Sequence, residues 1–255
     1  MQSERERTAM PIDNHPCEKL EWDSRHFGRK IGRVKGTHLD AARMDAVLAW
    51  NQEQKMECLY LLADPASELT LELAKRNGFE QMDERLGFRR STRGLQPAGA
   101  DEIREFAVED LPELQGIAAR SHGDSRFYRD RHFERELCDE MYRVWIRRSC
   151  GGWAERVWVA IDQGRPAGYC SCHLGEGGQG SIGLIAVAEE CRGKGIGWKL
   201  LQRSLHYFAG QGIESVSVVT QGANQKACAL YERCGFQLEK SEVWFHGWLN
   251  EGAKD

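Results

Sequence analysis

The stretch best suited to chemistry is the glycine turn Arg192-Gly193-Lys194-Gly195-Ile196-Gly197. Three glycines in five residues leave the backbone uncovered, so successive N–H groups can converge on an anion. A short apolar run, Leu184, Ile185, Ala186 and Val187, precedes the turn. Leu200, Leu201, Leu205 and Phe208 follow it at the spacing of one buried helix face. Strand, turn and helix thus succeed one another, and the positive end of the helix dipole favours negative charge at the turn. A diphosphate suits such a seat. The spacing is neither the G-x-G-x-x-G of dinucleotide sites nor the Walker pattern. A glycine-rich turn without any ligand is the plain alternative.

Downstream stand Asn224 and Tyr231-Glu232-Arg233-Cys234-Gly235-Phe236. Arg192-x-x-Gly195-x-Gly197 after a strand, followed by Asn and then Tyr-x-x-x-Gly-Phe, resembles the two cofactor motifs of the GCN5-related N-acetyltransferase (GNAT) superfamily. The resemblance covers about residues 101–248 well and the first hundred weakly. It implies an α/β fold, a central mixed twisted sheet flanked by helices. It also implies transfer of an acyl group from acetyl-CoA, or another acyl-CoA, to an amine that attacks the thioester directly. In that family the backbone of Leu184, Ile185, Ala186 and Val187 would run beside the pantetheine arm, and residues 192–197 would surround the phosphates. Asn224 would touch the cofactor, although it also reads as a helix N-cap. Tyr231 would give a proton to the departing sulfur, and an ordinary tyrosine is protonated at neutral pH. His173 and Glu176 end the neighbouring strand and are the candidate bases, with a water chain as the alternative; of these His173 has the suitable intrinsic pKa.

For the acceptor, the informative residues are Arg126, Phe127 and Tyr128, then Tyr142 and Trp145. An arginine can hold a diphosphate bidentately and aromatics can stack on a base or a sugar face. With Trp22-Asp23-Ser24, Phe27-Gly28 and Thr220-Gln221, this pattern resembles the GNAT members that acetylate dTDP-linked amino deoxysugars. The partner implied is a small molecule of the dTDP-amino sugar type. A salt-bridged helix surface is the plain explanation of the same arginines. Acetylation of a protein N-terminus, a lysine or another small amine, and acyl-CoA sensing without turnover, are the other functional classes.

The elements that must position these residues follow the chain. Residues 1–16 read as a polar, disordered lead, 17–97 as a smaller, truncated GNAT-like α/β domain, and 98–255 as the catalytic domain, joined through Gln96-Pro97-Ala98-Gly99-Ala100. Leu20 to Val34 reads as a turn and a strand, Leu39 to Gln54 as a helix, and Cys58 to Ala63 as a strand. Leu73 to Phe79 repeats the pattern of Leu230 to Phe236, helix then Gly-Phe then strand, with Glu72 about where the second copy has Tyr231. Ser67 is the expected cap of the first copy's helix. Further on come a strand and helix from Ile103, a hairpin across Asp162 to Pro166, and the order helix 196–209, strand 215–220, helix 225–234 and strand 237–248.

The chain has 255 residues, 41% hydrophobic and 29% charged, which suffices for a sizeable core. A net charge of −4 argues against a basic nucleic-acid surface. Nine cysteines show no C-x-x-C and no zinc spacing, so no metal is expected and the thiols read as reduced, as in a cytoplasm. Neither a signal peptide nor a membrane-spanning run is expected. The last strand, with Val243, Phe245 and Trp248, is expected to offer an exposed edge for a homodimer.

Overall fold

Residues 15–95 and 102–249 are described by the computed structural model. The lead expected over 1–16 therefore falls almost wholly outside the described residues, and the linker at 96–100 wholly so. The strands are β1 (Cys17–Lys19), β2 (Ile31–Val34), β3 (Cys58–Ala63), β4 (Phe79–Ser91), β5 (Ile103–Glu105), β6 (Arg156–Asp162), β7 (Arg165–Leu174), β8 (Gln179–Val187), β9 (Ser215–Gln221) and β10 (Gln237–Gly247). The helices are α1 (Glu21–Phe27), α2 (Ala41–Gln54), α3 (Glu68–Arg76), α4 (Leu111–Ser121), α5 (Arg126–Arg129), α6 (Arg135–Arg148), α7 (Ile196–Gly210) and α8 (Gln225–Arg233). All ten strands join one sheet in the order β1-β2-β3-β10-β4-β9-β8-β7-β6-β5.

That order interlaces the two ends of the chain. β10 pairs antiparallel with β3 on one side and with β4 on the other, and β4 in turn pairs antiparallel with β9. The last strand is therefore interior, with Val243 and Phe245 buried against α2 and α3. It is not the exposed edge expected from sequence, and the ground for a homodimer there goes with it. The strand looked like an edge because its neighbour β4 comes from the other half of the chain.

Alternation along the strands sorts the helices into two layers. Trp244 and His246 of β10, Tyr60 of β3 and Tyr169 of β7 face α1, α4, α5 and α6. Val243 and Phe245, with Cys170 and Cys172 of β7, face the opposite layer of α2, α3, α7 and α8. We call these the front and back faces. The Leu73–Phe79 and Leu230–Phe236 repeat extends to whole units. β1-β2-α2-β3-α3-β4 follows the same course as β7-β8-α7-β9-α8-β10, with an antiparallel pair, a parallel crossover, a helix, and then exchange of the last strand.

Two local readings differ from expectation. Residues 21–27 form a helix rather than a turn. Acidic Glu21 and Asp23 at its start and Arg25 and His26 at its end complement the dipole, Gly28 closes it at φ 63°, and Phe27 anchors it in the core. Ser67 caps nothing with its side chain, because its hydroxyl turns to Thr70 at 2.8 Å.

Because β10 is shared, removing its buried ring should weaken both halves together. Phe245→Ala, at a fully buried position, is expected to cost about 3–5 kcal/mol. Urea unfolding should remain one transition by near- and far-ultraviolet circular dichroism. Two separate transitions would show that the halves fold independently.

Candidate functional site

β8 and β9 run parallel and pair from Gln179↔Ser215 to Ile182↔Val218, then stop. β8 continues to Val187 and β9 to Gln221, so the sheet opens between them, bordered by Leu184, Ile185, Ala186 and Val187. Alternate backbone groups of β8 beyond Ile182 face that opening rather than a strand.

A bulge marks where the opening begins. Cys170 of β7 lies opposite Ile185 and Cys172 opposite Ile182, so Ser171 faces two residues, Gly183 and Leu184. Its Oγ accepts the Leu184 N–H at 2.8 Å, replacing the missing ladder bond. Gly183 is bare because a Cβ there would collide with Nε2 of His173, which lies over it on the front face. That Nε2 is 3.3 Å from Ser171 Oγ. Burial lowers the His173 pKa from its ordinary value, against opposing pulls from Glu155 and the Trp153 backbone, so the imidazole is neutral at pH 7. Glu176 follows just beyond, in a short turn, and its side chain lies outside the described residues.

At the far end of β8, Gly193 (φ 80°) and Gly195 (φ 76°) turn the chain into α7. Both need the left-handed region that glycine enters without strain. No side chain caps α7 and no acidic residue occupies its first turn, so the N–H groups that no helix can satisfy internally point outward. Arg192 is exposed and its Nε donates to Val187 O at 3.3 Å. Lys194 is less available, since its Nζ pairs with Asp162 at 2.5 Å. Ile196 is buried, and Gly197 lets Leu230 of α8 approach. Asn224 is the N-cap of α8, its side chain accepting the Ala227 N–H at 3.1 Å.

Tyr231 lies on the back face, 3% exposed. Its ring meets Phe88 of β4 at 5.7 Å and Phe236 at 5.9 Å, and it shares a core cluster with Cys170 of β7. β9 and β8 lie between β4 and β7, which puts the ring under the opening. Burial raises its pKa and holds it as the neutral phenol. Among the described residues nothing hydrogen-bonds the hydroxyl, and it is not one of the atoms sealed from solvent.

The residues expected to bind an acceptor divide on the front face. Phe127 is core, stacked on Phe27 and edge-on to Tyr60 and Trp145. Tyr142 is 5% exposed and stacked on His122, and burial pushes its hydroxyl up to about 12. Tyr128 donates to Asp139 at 2.6 Å. Trp145 is half-buried against Trp22. Phe127 and Tyr142 are thus core residues, whereas Tyr128 and Trp145 keep part of their surface exposed.

Arg126 is different. Its guanidinium lies 4.1 Å from the Tyr60 and Phe127 ring centres and 4.4 Å from that of Trp244. Nη1 meets His246 Nε2 at 2.7 Å. A guanidinium only donates, so Nε2 carries the lone pair and Nδ1–H donates to Asp130 at 2.5 Å. Burial lowers the His246 pKa to about 4, which keeps that tautomer neutral. Asp130 also accepts from Trp248 at 2.9 Å and His132 at 2.7 Å, and these bonds hold it well below the usual carboxylate range despite its burial.

Sequence reading missed a carboxylate beside this arginine. Asp83 of β4 has a side chain 3% exposed, and burial pushes its pKa up to about 6 against the pull of Arg129, 3.9 Å away. Its Oδ1 and the Tyr60 hydroxyl, over whose ring Arg126 lies, are buried without hydrogen bonds among the described residues. Asp23 of α1, also raised by burial, faces Arg126 as well. No motif announces this cluster, because residues 23, 60, 83, 126, 130 and 246 come from five separate segments, 126 and 130 being the first residue and the C-cap of α5.

Residues 118–236 match the Acetyltransferase (GNAT) family. SpsD, a spore coat polysaccharide biosynthesis protein of Bacillus subtilis, is 32% identical over 145 residues, 57% of this chain and 50% of that protein. N-alpha-acetyltransferase 30 of Schizosaccharomyces pombe is 34% identical over 100 residues, 38% of this chain and 64% of that protein. The chain thus spans between half and two thirds of these relatives. A GCN5-related N-acetyltransferase from Sphaerobacter thermophilus superposes with TM-score 0.62 at 19% identity, over 90% of this chain and 75% of that one. A tandem GNAT protein of clavulanic acid biosynthesis superposes with TM-score 0.56 at 15% identity, over 86% and 75%. No helix among the described residues is long and apolar enough to cross a membrane. Residues 118–236 thus match the GNAT family, and the described chain, with its opened parallel pair, glycine turn and uncapped following helix, shares the fold of these two solved structures.

Proposed function

We propose that the protein is an acyl-CoA-dependent N-acetyltransferase whose acceptor is the amine of a nucleotide-linked amino deoxysugar, of which dTDP-fucosamine is an example. The observation that carries the acyl-CoA half is the opening between β8 and β9, ended by the glycine turn and floored by Tyr231. The residues suit that group: free backbone edge along 183–187, and an uncapped helix N-terminus for phosphate. Acetyl-CoA would supply an activated acyl thioester.

The chain's own residues then have separate tasks. His173, neutral and over Gly183, accepts the proton of the attacking amine on the front face. Tyr231, kept protonated by burial on the back face, gives a proton to the departing sulfur. Arg126, fixed by His246 and three rings, places a permanent positive charge beside the acceptor. A guanidinium there can donate to an anionic acceptor group, with Asp23 and Asp83 beside it. The relationship to SpsD supports the sugar reading.

Tyr231→Phe is expected to lower kcat about 10²-fold or more while leaving the acetyl-CoA KM within about twofold, measured by thiol release with Ellman's reagent. Unchanged kcat would remove the tyrosine from the reaction. In the second test, kcat at saturating substrates is followed against pH. Acid protonates His173, so kcat should fall as pH drops through a midpoint below 6.5, and His173→Gln should abolish that limb together with most of the activity. Asp83→Asn should retain the limb. If Asp83→Asn abolishes it instead, the base is the carboxylate, whose pKa is about 6.

A further inference from the structure

The front face carries a second concavity that none of the roles above uses. A cavity of about 470 Å³ is lined by Arg147, Arg148, Gly151 and Trp153, where α6 ends and a glycine turn follows. Trp153 is 60% exposed, the more notable because most indole surface in this chain is buried. Neither guanidinium has a carboxylate partner among the described residues; Arg148 lies 5.3 Å over the Trp22 ring. Cations at the end of α6 complement its dipole, but that accounts for neither the concavity nor the exposed indole.

Position joins this cavity to the reaction. Trp153 meets His173 edge-on at 5.3 Å, and His173 covers Gly183 at the mouth of the β8–β9 opening. On the other side contacts run from Arg148 to Trp22, Trp145, Phe127 and Arg126. Glu155, two residues beyond Trp153, accepts the Leu174 N–H at 2.9 Å and forms no ion pair with either arginine among the described residues. Two guanidinia without carboxylate partners among the described residues, beside an exposed indole in a space of nucleotide size, suit a phosphate clamp and a stacking platform.

We infer that Arg147, Arg148 and Trp153 bind the nucleoside diphosphate of the acceptor, the arginines holding the diphosphate and Trp153 stacking on the base. This rests on the nucleotide-linked acceptor proposed above and names the residues that recognise it. CoA is itself a nucleotide, but its diphosphate seat lies at the far end of β8, at the start of α7 on the back face. The two sources therefore separate by which substrate a substitution affects.

The test uses the full chain and surface variants that leave the core intact: Trp153→Ala and the pair Arg147→Ala/Arg148→Ala. Binding of dTDP and UDP, with inorganic pyrophosphate for comparison, is measured by calorimetry. Steady-state constants are measured with a dTDP-amino sugar and acetyl-CoA. The wild type should bind a nucleoside diphosphate more tightly than pyrophosphate. Trp153→Ala should weaken the nucleoside diphosphate about tenfold without affecting pyrophosphate, and the double arginine variant should weaken both. The acceptor KM should rise in parallel, with the acetyl-CoA KM unchanged. If the wild type acetylates the sugar nucleotide and both variants match it, this site is overturned and the acceptor class stands. A rise in the acetyl-CoA KM alone reassigns the cavity to CoA and overturns it too. A wild type that binds no nucleoside diphosphate and acetylates only other amines removes both readings.

Discussion

The pairing of β4 with β10 is the constraint on which the rest depends. It runs for ten partnered positions, from Gln237↔Arg89 to Gly247↔Phe79, and each strand belongs by sequence to the half that the other completes. Without β4, β9 has no partner beyond its short pairing with β8, and the opening would have no fixed far wall. Without β10, β3 loses its antiparallel neighbour. The same pair carries Asp83, Trp244 and His246 to one face, where Arg126 meets them. A bulge falls at Trp244/Phe245, beside these residues, a place where bulges commonly redirect side chains.

The two repeated units show how one chain topology either forms or forfeits an anion seat. α2 begins at Asp40, whose own carboxylate accepts the Arg43 N–H at 2.8 Å. α7 begins at Gly195, which has no side chain to offer. The first helix thus fills its positive end with a built-in anion and the second leaves it open. The next helices differ in the same sense. Glu72 of α3 is a surface residue paired with Arg76 at 2.6 Å, whereas Tyr231 of α8 is buried under the opening. The N-terminal unit has kept the framework that completes the sheet and lacks both features on which the proposed chemistry relies.

Legibility in the sequence followed locality. The glycine turn, the strand before it and the helix after it lie within some 25 residues and obey local rules of φ and periodicity, so their places were readable. Tyr231 was readable from its motif, although nothing in the motif says that its ring would sit between Phe88 and Phe236. The sequence does not sort the aromatics after Arg126 into lining and core, because stacking residues for a ligand and stacking residues for a core have the same composition. Phe127 and Tyr142 are distinguished only by what surrounds them. Asp83 had no signal, since a charged residue in a polar-looking strand is ordinarily exposed. Its burial follows from strand exchange, and so does the interior position of β10.

The arrangement of groups about the sheet gives the proposed reaction a direction. His173 and Arg126 stand on the front face and Tyr231 on the back, with the opening between β8 and β9 as the passage through the sheet. In the proposed reaction His173 would take the amine's proton on the front face and Tyr231 would protonate the departing thiolate on the back. The two proposed groups lie on opposite faces of the sheet, so neither would neutralise the other. Burial sets the resting state of both, lowering the imidazole pKa so that it is unprotonated and raising the phenol pKa so that it stays protonated, while weakening the one as a base and the other as an acid. A single aqueous pocket holding both groups would need opposite local environments side by side, whereas a sheet opened by one missing strand pairing provides them on its two faces.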